Sequence, residues 1–385
     1  MHRRVLLIVA SLTALTAQRV PNVGLTTDER VAKIELRLKQ SPKDAAILNE
    51  LAAEYLQKMR ETADGGYLDR SDKIVKAILE SDASNYDARR RSIEIEMQRH
   101  HFERVVTLTD SLARERPKDA AVWGLRGDAL MEMGEYDRAA DAYQTMVDLR
   151  PNLASYNRIA FYRFVTGDAQ GAIGVMRKAI GLGSPFPENV AWCLTDLGQM
   201  LLKTGATDEA EAAFREALRV FPGYHAGLAG LGRVFAAQGR NAEAVENFRR
   251  AQSQVPLPEY AAWLVKLHRR LGQQEFAKKQ LAMLDVADAL GKAAGEAANR
   301  NLALAYADLD YRTSRALELA RAELAVRRDV YTYDALAWAL FKNGKAAEAS
   351  SVMEKALTQS TPEPSFHEHA ALIFAAAGRT DEARR

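Results

Sequence analysis

Short apolar stretches at helical spacing recur along the chain, and each is followed by a glycine and then by an alanine-rich stretch. The glycines are Gly134, Gly167, Gly205, Gly239, Gly272, Gly344 and Gly378, 33 to 38 residues apart except for one step of 72. An alanine about five residues after each repeats the ruler at Ala139, Ala172, Ala210, Ala244, Ala277, Ala349 and Ala383, and Ala316 keeps it where the glycine is missing. Pro117, Pro151, Pro222 and Pro256 close several units, because proline cannot donate the helical hydrogen bond and its ring clashes with the preceding turn. A period near 34 built from two helices predicts a stacked array of helix pairs, all-α throughout. Gly183-Ser184-Pro185-Phe186-Pro187 breaks the pattern and predicts a loop inside the array. The stretch from Asp285 to Asn301 predicts a lengthened helix, and residues 25 to 40, with Val31, Ile34, Leu36 and Leu38 among charges, predict an extra helix ahead of the first unit.

Three adjacent units carry the pattern most fully. The first runs Trp123, Gly127, Leu130, Gly134, Tyr136, Ala139, Tyr143, Met146 and Pro151. The second has Leu197, Gly198, Leu201, Gly205, Ala210, Phe214, Ala217 and Pro222, and the third Leu231, Gly232, Phe235, Gly239, Ala244, Phe248, Ala251 and Pro256. This signature resembles the tetratricopeptide repeat. The resemblance covers residues 45 to 385, about nine units plus a partial last one, with weaker units at 86–118, 153–186, 258–290, 297–329 and 330–362. The unit from Leu48 to Ile78 carries extra residues around Asp64-Gly65-Gly66, which read as a lengthened turn between its helices. Small residues at the eighth and twentieth places let paired helices approach, and large ones at the fourth, eleventh and twenty-fourth fill the gaps. No single pair buries its own apolar face, so neighbours must stack into one core. The fold the resemblance implies is a right-handed α-solenoid.

Composition supports order and narrows the partners. Hydrophobic residues are 48% of the 385 and charged residues 27%, which excludes a disordered chain. Lys and Arg number 53 against 51 acidic residues, and two of the positives are Arg3 and Arg4. A near-neutral body offers no electrostatic drive toward nucleic acid. Met1-His2-Arg3-Arg4 precedes an apolar run from Val5 to Ala17 that is too short to span a bilayer as a helix. That order predicts a signal peptide over 1–17, with an N-terminal extension and capping helix over 18–44, and hence export to a periplasmic or extracellular space. The alternative is a membrane-anchored protein that keeps this segment.

Candidate chemistry is sparse. There is no phosphate-binding glycine loop, and Gly227-x-x-Gly230-x-Gly232 has the wrong order for a dinucleotide fingerprint. His100-His101 falls at a helix-to-helix turn, and His367 and His369 are two apart, whereas ligands sharing a helix face stand three or four apart. The single cysteine, Cys193, lies between Trp192 and Leu194 with no histidine nearby, which predicts a packed thiol and excludes an internal disulfide. No catalytic residue, metal ligand or cofactor site is assigned.

The resemblance also implies a binding face, since in this family the first helix of each unit lines the concave side. The second, fifth, ninth and twelfth places then give Arg90, Glu94, Asp128, Asn157, Phe161, Thr195, Gln199, Arg233, Lys266, Arg269, Asn301, Asp334, Trp338 and Phe341 as groove candidates. Arg233, Lys266 and Arg269 suggest a positive stretch at mid-groove. Some family members clamp a peptide carboxylate with Lys and Asn at the fifth and ninth places, a pattern these positions do not repeat. The expected function is a non-enzymatic scaffold holding a partner peptide or helix in the concave groove. A membrane-tethered assembly factor and an enzyme with a site embedded in the repeats are the alternatives. The last unit turns at Gly378 and reaches only Arg385, which suggests an apolar edge open to self-association or to another chain.

Overall fold

Short acceptor side chains start many of the helices. Asp44, Asp64, Asn85, Asp119, Asn152, Asp168, Asn299 and Asp329 each accept from an N–H of the first turn, satisfying a donor that has no partner inside the helix. The computed structural model describes residues 25–295 and 298–383, and among these residues there is no strand. The expected signal peptide over 1–17 lies outside them.

A lone helix, α1 (Thr27–Gln40), leads the array. Antiparallel pairs follow: α2 (Ala45–Thr62) with α3 (Gly65–Ser81), α4 (Tyr86–Gln98) with α5 (Phe102–Glu115), α6 (Ala120–Glu132) with α7 (Tyr136–Leu149), and α8 (Leu153–Val165) with α9 (Ala169–Leu182). Next come α10 (Pro187–Lys203) with α11 (Thr207–Val220), α12 (His225–Ala237) with α13 (Asn241–Gln254), and α14 (Pro258–Arg270) with α15 (Gln274–Ala293). The series closes with α16 (Arg300–Asp308) and α17 (Thr313–Val326), α18 (Val330–Lys342) and α19 (Ala346–Ala356), and α20 (Pro364–Ala376) with the short α21 (Thr380–Ala383). Successive pairs stack into an α-solenoid.

The loop at 183–186 ends α9 and starts α10 on Pro187, where a missing N–H costs nothing. The expected long helix is α15, whose 20 residues bury only Ala277, Leu284 and Asp288. One expectation is corrected. The residues around Asp64 do not lengthen a turn; they lengthen the helices, to 18 residues in α2 and 17 in α3. Asp64 caps α3 by accepting from the Gly66 N–H at 2.8 Å, so the two glycines enter the first helical turn. Ala63, between the helices, is exposed and left-handed at φ 53°. Ala63→Gly is therefore expected to raise stability by about 0.5–1 kcal/mol, because glycine adopts this conformation without a Cβ clash. A thermal melt showing no gain over wild type would contradict it.

Within each good unit a glycine receives an aromatic ring. A Cβ on Gly198 would lie 2.6 Å from the Phe214 ring, and one on Gly232 2.7 Å from Phe248. Gly127 meets Tyr143 in the same way. One apolar core then runs without a break from Tyr86 to Phe374, with a smaller cluster of Ala52, Leu56, Val75, Ile78, Ala88 and Ile95 joining α2, α3 and α4.

The solenoid coils tightly enough to touch itself. The Arg328 N–H donates to the Glu132 carbonyl at 2.9 Å. The Val330 N–H donates to the Tyr136 hydroxyl at 3.0 Å, across 194 residues. The Thr361 hydroxyl donates to the Val165 carbonyl at 2.6 Å, across 196. Arg328 pairs with Glu103 at 3.0 Å and Lys203 with Glu363 at 2.6 Å. The turns that join paired helices in one coil thus abut the linkers between units in the next. At the other end of α10, Gln57 donates to Glu188 at 3.3 Å and the Arg30 guanidinium lies 4.5 Å from the Phe186 ring centre. These contacts join units far apart in the sequence along one seam.

Candidate functional site

A ladder of polar pairs bridges the first helices of neighbouring units. Arg158 of α8 grips Asp128 of α6 through Nε at 2.8 Å and Nη2 at 2.7 Å, and the Tyr143 hydroxyl donates to the same carboxylate at 2.9 Å. Burial opposes the Arg158 charge, but the adjacent Asp128 outweighs it and holds the guanidinium above its ordinary range. Burial, with Asp128 beside it, likewise keeps the Tyr143 hydroxyl protonated. Arg233 of α12 pairs with Glu259 of α14. Lys266 of α14 donates to Asp308 of α16 at 2.8 Å, and the Trp338 indole of α18 donates to the other oxygen of that carboxylate at 2.9 Å. Trp338 stacks on the His369 ring of α20 with centres 4.0 Å apart, and His369 Nδ1 lies 2.8 Å from Asp334. Burial pushes the Asp334 carboxyl up, and the hydrogen bond from His369 partly reverses this.

The remaining groove candidates take varied places. Arg90 lies 3.6 Å from Asp87 and 3.8 Å from Asp119, and Glu94 pairs with Arg91. The Asn157 amide reaches Cys193 Sγ at 3.6 Å, and Thr195 is buried, donating to the Ala191 carbonyl at 2.9 Å. Arg269 donates to the Leu309 carbonyl at 3.4 Å. Phe341 stacks on Trp338, Gln199 is half-buried, and Asn301 and Phe161 are exposed. The three cations at mid-groove are thus each engaged with an acceptor of a neighbouring unit. Cys193 is fully buried, and burial pushes its thiol up to about 12, which leaves it no thiolate at neutral pH.

Several polar residues of the first helices fall outside the second, fifth, ninth and twelfth places. Arg158 and Asp196 occupy the sixth place of their units and Lys203 the thirteenth, and all three sit beside a position the ruler does mark. A helix face is about 100° wide, so a stripe including the sixth place would have found them. The partners Glu259, Asp308 and His369 carry no such signal, because pairing across units depends on how the helices stack.

Asp196 differs from the other channel carboxylates. Among the described residues it has neither a hydrogen bond nor an ion pair, and desolvation raises its carboxyl to about 7, with Lys203 the only charge pulling it down. Its side chain is half-buried. A raised carboxyl contributes stability that is complete below the unfolded value and is lost as pH rises through about 7. Asp196→Asn should therefore melt with wild type in acid and above it at pH 8, by about 2 kcal/mol once access to water is allowed for. A gap that does not change with pH would contradict this.

Among the described residues, no cluster of three or more His, Cys, Asp or Glu is arranged to hold a metal. Likewise, no helix there is long and apolar enough to cross a membrane.

Tetratricopeptide repeat profiles match residues 195–257 and 335–385, 151–222, and 120–153. No curated protein sequence matches. Among solved structures, the APC/C hetero-tetramer Cut9–Hcn1 aligns with a TM-score of 0.50 at 15% identity, over 90% of this chain and 60% of that one. The type IV pilus biogenesis factor PilW aligns at 0.46 and 17% identity, over 53% of this chain and 93% of its own. A tetratricopeptide repeat protein from Parabacteroides merdae aligns at 0.43 and 18%, over 60% and 93%. These likenesses bear on the fold alone. Where the profiles match, the glycine-on-aromatic contacts recur from unit to unit, and the chain belongs to the tetratricopeptide repeat family.

Proposed function

We propose that the protein is a non-enzymatic, exported interaction scaffold that holds an extended segment or a helix of another protein in its channel. The observation that carries this reading is the accessible stretch of the inner wall along α8 and α10. There Phe161 and Trp192 are 37% and 40% exposed while the wall on either side is locked in ion pairs. Large aromatics left open beside a satisfied polar lining are what a binding surface retains. A scaffold also accounts for the carboxylates serving as structural partners, and for a thiol held too high to act as a nucleophile.

Photoreactive residues at Phe161, Trp192 and Gln199, introduced in the native host, test the reading. Outward-facing controls are Phe276 and Leu290 on α15, both exposed. The expected result is one protein crosslinked from the channel positions and absent from the controls; equal capture from both sets would sink the proposal. Mass spectrometry of the mature N-terminus tests export, with a chain beginning after Ala17 as the expected product.

A further inference from the structure

The cations that flank Asp196 along the channel are all committed to other carboxylates: Arg158 to Asp128, Lys203 to Glu363 and Arg233 to Glu259. Among the described residues no hydrogen bond or ion pair engages the Asp196 carboxyl, and a cation placed beside it would hold it ionised. Its surroundings are aromatic. Trp192 is one helical turn before it on α10 and so shares its face. The contact between Asn157 and Cys193 fixes how α8 lies against α10. The two helices run in the same direction, since each opens a stacked antiparallel pair, so one turn further along Phe161 comes level with Asp196. Both rings are exposed. Gln199, the next residue on the Asp196 face, adds an amide that can donate or accept.

We infer that Asp196, Phe161 and Trp192 form a subsite for one basic side chain, Lys or Arg, carried by an extended segment of a partner protein. This rests on the scaffold reading and specifies what the channel selects. The chemistry of such a side chain fits each wall in turn. Its aliphatic stem lies along Phe161 and Trp192, its cation meets the faces of those rings, and its head group supplies the donors that the carboxylate lacks. An acidic residue at the same place would be repelled by the ionised carboxylate, so the selection is by rejection as well as by attraction.

Four pools of fluorescein-labelled hexapeptides test this on the full chain. Each has one fixed central residue, Lys, Arg, Gln or Glu, with flanks drawn from Ala, Leu and Phe. Fluorescence anisotropy at neutral pH should show the Lys and Arg pools binding at least tenfold tighter than the Gln pool and the Glu pool weakest. Asp196→Asn should abolish the preference, and Asp196→Lys should turn it toward Glu. Binding of all four pools with equal strength, or a preference that survives Asp196→Asn, overturns the subsite and leaves the scaffold reading intact. Binding of none of the pools overturns the subsite, and the crosslinking result then decides the channel reading separately.

Discussion

Gly134→Ala is expected to destabilise the protein by about 3–4 kcal/mol, far more than the same change at Gly344. The two glycines sit at the same point of their units, with φ 72° and 73°, so a methyl group meets the same left-handed backbone penalty at both. Around Gly344 there is nothing within 4 Å of the added carbon. At Gly134 the added carbon would strike the carbonyl oxygen of Arg328, on the adjoining coil. That oxygen is main chain, in a linker pinned by the hydrogen bonds from Arg328 to Glu132 and from Val330 to Tyr136, so it cannot swing aside as a side chain could. The seam must part locally, and the amides of Arg328 and Val330 should exchange hydrogen faster in Gly134→Ala than in Gly344→Ala. Equal melting temperatures and equal exchange for the two variants would contradict a closed seam.

Arg158→Ala is expected to cost about 3 kcal/mol, because it leaves Asp128 in the channel wall without its cation. The Tyr143 hydroxyl still donates to that carboxylate, but a neutral donor does not offset a desolvated charge. Arg158→Lys should recover only part of the loss, since an ammonium cannot reproduce the paired contacts made by Nε and Nη2. Adding Asp128→Asn to Arg158→Ala should recover more, by removing the charge that was left alone. Denaturant unfolding of wild type and the three variants checks the order. Arg158→Ala within about 0.5 kcal/mol of wild type would show that the pair is ordinary surface decoration.

The features legible in the sequence are those that depend on one unit or its immediate neighbour. The glycine and alanine ruler located the helix pairs because its glycines take the left-handed backbone of the turn and most of its alanines are buried between the paired helices. Asp64 shows the limit of such reading. Two glycines suggested an open turn, yet a single capping carboxylate is enough to draw them into a helix. The seam lay further out of reach, since the bond between Val330 and Tyr136 depends on a small rotation per unit accumulated over 194 residues. Gly134 and Gly167 look like every other turn glycine in the sequence, and only the structure separates them as the ones that face the next coil. The groove candidates divide along the same line. Spacing alone put Phe161 on one face with Asn157, whereas the burial of Asp334 against His369 and the isolation of Asp196 follow from how the units stack.

Closure of the solenoid on itself is the claim on which the channel, its aromatic stretch and its unpaired carboxylate all depend. Electron–electron resonance distances between spin labels at Glu103→Cys and Arg328→Cys test it most directly, because these positions form an ion pair across 225 residues and the only native cysteine, Cys193, is buried. A single narrow distribution at the short end of the measurable range is the expected result. A broad distribution at long distance would mean that the coils stand apart in solution and that no closed channel exists.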